Sequence, residues 1–298
     1  MNLPTIQQLT YLVALADEGS FSRAADACFI SQPALSAQIK GLENRLGQQL
    51  LERTARGILL THQGVQVVDR ARALIRDLND LVIEAKNDGD DLRGDIHIGA
   101  IPTMAPYLLP ALVQSLRKHH PHSQLHLHEE QTHDLLQSLR YGKLDVGLLA
   151  LPIEEPTLSS AVIAHDPFLV AMSSDHRLAD TSSPISLDRL AKENILLLEE
   201  GHCLRDQAEN LCIRSNIQPS DIQATSLPTL VQMVAANMGI TLLPRSAAPI
   251  EARKGSGVMT RPLRSSSAGR SIGLIWRTSS PIGTYLTSII SDLSTLWK

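Results

Sequence analysis

The strongest constraint on how this chain can fold is an uninterrupted amphipathic run over residues 61–86. Val68, Ile75 and Val82 repeat every seven residues, as do Ala71, Leu78 and Ala85, with Val67, Leu74 and Leu81 alongside. A seven-residue apolar repeat of this breadth describes a helix packed along its length against another helix. Thr61 is placed to cap it. A lone core helix is the alternative, but no neighbouring sequence could cover such a face on both sides. The expectation is therefore a dimer made through this helix. Asn87-Asp88-Gly89-Asp90-Asp91 follows, polar and turn-rich, and marks the clearest domain boundary. The chain divides into a first domain at 1–60, a linker helix at 61–88 and a large remainder at 89–298.

In the first domain, Ile6, Leu9, Leu12, Val13 and Ala16 outline a helix closed near Gly19. Ser20 can cap a second helix through Ala24, Ala25 and Ala27. Ser31 can cap a third, with Pro33 in its first turn and Leu35, Ile39, Leu42 and Leu46 inward. Outward the third helix shows Gln32, Ser36, Gln38 and Lys40, groups suited to base edges and phosphates. Leu50–Arg53 and Gly57–Leu60 read as a two-stranded wing, and the pattern as a whole as a winged helix-turn-helix. Charge does not decide whether it reads DNA. The net charge of the 298 residues is -4, and acids balance bases in the first domain. Cys28 falls in the turn before the third helix and reads as a small buried hydrophobe.

Beyond the linker, strands alternate with helices. Strands are expected at Ile96–Ile101, Gln124–His128, Val146–Leu149, Phe168–Met172, Ile195–Leu198, Thr241–Leu243 and Ile272–Trp276. Helices are expected around Leu108–His119, Thr132–Tyr141, Ser186–Ala191, Leu227–Asn237 and Gly283–Leu296. This is an α/β pattern whose crossovers imply mostly parallel sheets. Six of the 11 histidines fall between His119 and His133, and His126 and His128 share one strand face. Two metal ligands could use that face, but no cysteine or well-spaced carboxylate completes a set, so a solvated polar cluster is expected and no cofactor.

Two of the three cysteines lie nine residues apart in Gly201-His202-Cys203-Leu204-Arg205-Asp206-Gln207-Ala208-Glu209-Asn210-Leu211-Cys212. Leu204, Ala208, Leu211 and Cys212 recur at helical spacing, which puts Cys203 at a helix start, where N–H groups favour an anion. At ~100° and ~1.5 Å per residue the sulfurs stand on opposite faces, roughly 13 Å apart along the axis. A disulfide needs Cα atoms within about 7 Å. These cysteines cannot join while the helix stands, so a bond between them requires the segment to refold. The alternative is a pair of buried small hydrophobes. His202 and Arg205 favour a thiolate at Cys203, and Glu199, Glu200 and Asp206 oppose it.

The detailed strings carry a resemblance. Gly19-Ser20-Phe21-Ser22-Arg23-Ala24-Ala25, Ser31-Gln32-Pro33-Ala34-Leu35-Ser36, Leu42-Glu43 and Leu50-Leu51-Glu52-Arg53 closely resemble the LysR-type transcriptional regulators. The resemblance implies a third helix in the major groove of operator DNA, with Ser31, Gln32, Pro33, Ser36, Gln38 and Lys40 at the duplex and Arg53 in the wing near the minor groove. It also implies an effector domain of two Rossmann-like, periplasmic-binding-protein-like lobes: lobe I at 92–164 plus 270–298, lobe II at 165–269. The crossings would lie near Ala164-His165 and Gly269-Arg270. The second half is similar to the members of that family that sense hydrogen peroxide. Gly201–Ala208 with Cys212 is the most specific string, joined by Ile101-Pro102-Thr103, Pro106–Pro110, Gln131-Thr132-His133, Ala224–Leu227 and Gly239–Pro244. That likeness implies a peroxide-reacting Cys203, a resolving Cys212, and a pocket of Thr103, Thr132, His202, Asp206 and Arg270. Glu209-Asn210-Leu211 departs from the pattern.

The resemblance further implies a tetramer, RNA polymerase as a partner and a thiol reductant such as glutaredoxin. An odd cysteine count, no apolar run of about eighteen residues and no charged-then-apolar leader lead to the expectation of a cytoplasmic protein with no membrane partner. Two rival readings remain: a regulator answering to a small organic effector in the lobe cleft, and a thiol peroxidase. The second gives no use to residues 1–60 or to the heptad helix.

Overall fold

The computed structural model describes residues 3–54, 57–86, 92–179, 183–214, 219–265 and 268–297. One compact unit comprises Met1–Asn87 with Arg140–Lys143, and a second is built from Asp88–Leu139 and Leu144–Lys298. The expected boundary at 87–91 lies outside the described residues.

In the first unit α1 (Ile6–Glu18) opens on a capping box, in which Thr5 and Gln8 bond each other's backbone N–H, and ends at Gly19 with φ 61°. Ser20 stands at the N-cap of α2 (Phe21–Ala27) but makes no side-chain cap bond. Ser31 does cap α3 (Gln32–Leu46), accepting from the Ala34 N–H at 3.4 Å. β1 (Leu51–Thr54) and β2 (Gly57–Leu60) pair antiparallel as the wing. Glu43 fixes the wing's entry: one carboxylate oxygen accepts from the N–H groups of Leu50 and Leu51 at 2.8 and 3.3 Å. The core joins Leu12, Leu15, Ala24, Leu35, Ile39, Leu42 and Leu50 with Val68 and Ala71 of α4 (His62–Lys86).

That last contact revises the heptad reading. Val68 and Ala71 are buried in this unit's own core, with Val67 and Ile75 packed against it. The apolar line left bare runs along Leu74, Leu78 and Leu81, which are 53%, 39% and 61% exposed. The side chains of Val82 and Ala85 lie outside the described residues. The helix is broad enough to serve two packings, and the repeat alone did not show which stripe the first would take.

The second unit holds β3 (Gly94–Ala100), α5 (Ala105–His119), β4 (Ser123–Glu129), α6 (Thr132–Arg140), β5 (Val146–Leu151) and β6 (Leu158–Ser173). There follow α7 (Leu187–Leu190), β7 (Ile195–Leu198), α8 (Cys203–Arg214), β8 (Pro219–Ala224), α9 (Leu227–Ala235), β9 (Thr241–Pro244), α10 (Ala248–Glu251), β10 (Val258–Pro262), β11 (Gly269–Arg277) and α11 (Ile282–Leu296). The sheet order is β10-β6-β11-β5-β3-β4, with β9 also on β6 and a separate β7–β8 pair. The expectation of mostly parallel sheets is corrected. β3–β4, β3–β5 and β7–β8 are parallel, but β6 and β11 run antiparallel to each other and to their other neighbours. The cause is that β6 and β11 serve both lobes, one carrying the chain across and the other carrying it back. Their register places Arg270 opposite Asp166 and Ser271 opposite His165, at the expected crossings. The second lobe's core gathers Phe168, Val170, Met172, Leu196, Leu198, Leu230, Val231 and Val234. Among the described residues no helix is long and apolar enough to cross a membrane.

Candidate functional site

The site forms where three segments meet at the crossing. Cys203 is the first residue of α8. Its exposure is intermediate, whereas Cys212 near the far end of the helix is fully buried. Leu204, Ala208 and Cys212 face the second lobe's core, the stripe expected from the sequence. The preceding loop bends at Gly201, φ 93°, where a β-carbon would run into the Gln131 side chain. Only glycine meets both demands without strain. That approach brings α6 toward the loop before α8, and Thr132, the first residue of α6, is among the groups that lower the Cys203 pKa.

Arg270 supplies the site's cation from β11. Its side chain is fully buried. Nη1 donates to Thr103 Oγ1 at 2.9 Å and Nη2 to the Thr103 carbonyl at 3.0 Å. Nε donates to Asp166 Oδ2 at 3.1 Å. The Asp166 carboxylate also accepts from the Ser246 N–H at 2.9 Å and the Ser246 hydroxyl at 2.8 Å. Gly269 makes room for this pair, since a β-carbon there would strike the His165 ring and the Asp166 carbonyl. Removing either ion would leave the other buried and unpaired, at a cost of about 3–5 kcal/mol.

Burial pushes the Cys203 thiol above its ordinary pKa. The Arg270 charge, the Thr132 hydrogen bond and the Leu204 N–H pull it back down, and Asp206 adds to the rise. Desolvation outweighs the pull of the helix start and of the cation, so the net direction is upward. Cys212 is pushed up to about 11 by burial and by Glu209. Two expected contributors act elsewhere. His202 is buried with Nε2 at 3.1 Å from the Thr225 carbonyl. Arg205 donates to the Leu198 carbonyl at 2.7 Å and pairs with Glu209 at 3.8 Å. The cation that acts on Cys203 is Arg270.

Of the residues expected at the pocket, Arg270 bonds Thr103, and Arg270 and Thr132 both act on the Cys203 thiol to lower its pKa. Asp206 is exposed one turn into α8 and acts through its charge. His202 buttresses the loop. Sequence reasoning passed over Asp166 and Ser246, because neither lies in a recognisable string and only the register of β6 and β11 joins Asp166 to Arg270. On α3, Ser31, Gln32, Pro33, Gln38 and Lys40 are exposed and Ser36 is half-buried. Arg53 lies in β1 opposite Ile58, and its side chain is outside the described residues.

The histidine cluster resolves into separate contacts. His119 and Lys118 meet Asp292 at 2.9 Å, His126 meets Asp95 at 3.2 Å, and His133 meets Gln137 at 2.9 Å. His97, a neighbour not anticipated, stacks on His126 with centroids 4.7 Å apart and lies 3.2 Å from His128. Among the described residues no group of three or more His, Cys, Asp or Glu is arranged to hold a metal ion.

Residues 6–65 match the helix-turn-helix of bacterial regulatory proteins of the lysR family, and residues 89–291 match the LysR substrate binding domain. The chain is 45% identical over 278 residues to the DNA-binding transcriptional dual regulator OxyR of Escherichia coli K12, covering 93% of this chain and 90% of that one. It is 41% identical over 290 residues to the hydrogen peroxide-inducible genes activator of Haemophilus influenzae, covering 97% and 96%. A full-length OxyR variant from Pseudomonas aeruginosa superposes with a TM-score of 0.83 at 32% identity, covering 97% of this chain and 94% of that one. Helix-turn-helix, wing, linker helix and two-lobed effector domain follow one another in the order these matches require: the chain belongs to the LysR family of bacterial helix-turn-helix regulators.

Proposed function

We propose that this chain is a DNA-binding regulator that senses hydrogen peroxide through Cys203 and reports it by forming a disulfide with Cys212. The observation that carries the reading is the placement of Cys203 at a helix start, where Thr132 and a buried Arg270 tied to Thr103 both draw its pKa down against burial. The likeness to peroxide-responsive regulators over most of the chain supports it.

Acidity alone would not make such a sensor. A thiol of pKa about 8.5 is roughly 3% ionised at pH 7, so full ionisation gains only about thirty-fold. Selectivity needs donors that hold the peroxide and stabilise the oxygen that leaves. Thr103 accepts from Arg270 and keeps its own hydroxyl proton to give. A donor so polarised is stronger. The Cys203 thiolate attacks one peroxide oxygen, the O–O bond breaks, and the departing hydroxide takes a proton to leave as water. Cys203 becomes a sulfenic acid, and the Cys212 thiol displaces its hydroxyl as a second water to close the disulfide. A dithiol reductant of the glutaredoxin kind returns both thiols. The chain thus acts as a stoichiometric switch in the cytoplasm, not as a peroxidase enzyme.

The pair stands on opposite faces of α8, so closing the bond unwinds the helix and withdraws Leu204 and Cys212 from the core. Burial of Leu204 alone is worth about 2 kcal/mol. The refolded segment changes the packing between effector domains in a tetramer, and with it the spacing of the α3 helices on operator DNA and the contact with RNA polymerase. Gln32, Ser36, Gln38 and Lys40 of α3 face the duplex, and the wing residue Arg53 is a further DNA-binding candidate. Leu74, Leu78 and Leu81 form the dimer seam, and Leu81→Asp is expected to dissociate it in sedimentation while the effector domain stays folded. Operator binding measured by gel shift, with thiols and disulfide counted by mass spectrometry in the same samples, tests the reading. One equivalent of peroxide is expected to form the Cys203–Cys212 bond and change the shift. A chain that stays fully reduced while answering to an organic effector would overturn it.

A further inference from the structure

Arg270 presents a puzzle of charge. Its charge lowers the Cys203 pKa, yet its Nε is committed to Asp166 from the paired strand, both side chains being buried. Asp166 is in turn held by two donors of Ser246, the residue that follows β9 and Arg245. A single guanidinium is therefore shared among Thr103 ahead of α5, Asp166 on β6 and the sulfur at the start of α8.

We infer that Asp166, clamped by Ser246, is a positioning residue for peroxide sensing. It aims the Arg270 guanidinium at Thr103 and takes up part of its charge in the resting site. The inference rests on the reading of Cys203 as the reacting group. The groups facing that sulfur are Arg270 from β11, Thr132 from α6, and Asp206 and the Leu204 N–H from α8 itself. Arg270 also acts on Tyr107 of α5, whose hydroxyl donates to Glu251 of α10 at 2.6 Å. Of these neighbours Asp166 is the acid bonded directly to Arg270, and two carboxylate-like claimants compete for it: the Asp166 oxygens permanently, the Cys203 thiolate only once it forms. A buried cation that loses one anion interacts more strongly with the next.

The two partners of the clamp act in opposite directions, which makes the inference testable. Asp166→Asn keeps the shape and removes the competing charge. Cys203 should then ionise at lower pH, and its alkylation by iodoacetamide at pH 7 should quicken about tenfold. Ser246→Ala keeps the charge and frees Asp166 Oδ2 for Arg270 alone. Cys203 should then ionise at slightly higher pH, with alkylation slowed about twofold. The measurement is the pH profile of Cys203 alkylation in the full-length reduced protein, with peptide mass spectrometry separating Cys203 from Cys28 and Cys212. Thermal melts establish that each variant is folded. If Asp166→Asn does not fold, the Ser246→Ala profile decides alone. An unchanged profile in a folded variant, or a shift in the same direction for both, overturns the inference. Disulfide formation by peroxide in the unaltered protein is read separately: its failure removes the sensing function and leaves the Asp166–Arg270 balance standing.

Discussion

The two ends of α8 carry the same residue type in opposite surroundings. At the N-terminal end Cys203 meets a hydroxyl, a backbone N–H and a guanidinium. Toward the other end Cys212 is packed among Leu204, Ala208 and the apolar strands of the second lobe, with burial and the Glu209 charge both raising its pKa. Burial raises the pKa of both thiols, but only Cys203 has groups that pull the other way. Reactivity therefore follows from position on the helix, and the buried member is useful because it is inert until the helix opens.

The largest effect should come from exchanging the sulfurs one at a time. Cys203→Ser is expected to abolish every peroxide product, because a serine hydroxyl does not ionise near pH 7. Cys212→Ser is expected to leave Cys203 reactive, its sulfenic acid persisting or oxidising further. Intact-mass analysis after one equivalent of peroxide distinguishes them, and identical products would erase the contrast between the two ends. Next, Thr132→Val removes the hydroxyl that bonds Cys203. Loss of one preorganised donor should slow sulfenic-acid formation by roughly 10²-fold, and stopped-flow rates on the Cys212→Ser background would measure it. An unchanged rate would reduce the Cys203 end to its cation alone.

A smaller change bears on the Cys212 end. Leu204→Ala should destabilise the reduced lobe by about 2 kcal/mol or more. The oxidised segment has already withdrawn that side chain, so the reduced state should lose relative to the oxidised one. The disulfide potential should fall by roughly 40 mV, at ~30 mV per 1.4 kcal/mol. Redox titration against glutathione reads this, and a potential unmoved by a measured loss of stability would show that α8 keeps its packing on oxidation.

The sequence disclosed the local parts of this arrangement and missed those made by distant pairing. The amphipathic stripe Leu204, Ala208, Cys212 and the helix starting at Cys203 were legible, because 3.6-residue periodicity is written within a dozen residues. So were α1, α3 and the wing. The first half of β6 was not, since Leu158–Pro167 shows no regular alternation, with Val162 exposed and Asp166 buried, and ends on a proline. Polar β8 and β10, the latter holding Arg261 and Pro262, were missed for similar reasons. The sheet's direction was misjudged because two strands shared between lobes reverse what βαβ alternation suggests. At the site, His202 and Arg205 were favoured as the thiolate's cations because they are neighbours in sequence. Both are spent on backbone carbonyls, His202 on that of Thr225 after β8 and Arg205 on that of Leu198 at the end of β7. The effective charge comes from a residue on another strand, and its counterion Asp166 from a third segment.

The claim that joins these parts is that oxidation trades the helix for the disulfide. Amide hydrogen exchange across residues 203–212, followed in reduced protein, in oxidised protein and after reduction with dithiothreitol, tests it most directly. The reduced state should protect the amides of Leu204–Cys212, the oxidised state should lose that protection, and the reductant should restore it, with operator footprints changing in step. Identical exchange in a sample whose Cys203–Cys212 bond is verified by mass would contradict the account, because no intact α-helix can bring those two sulfurs together.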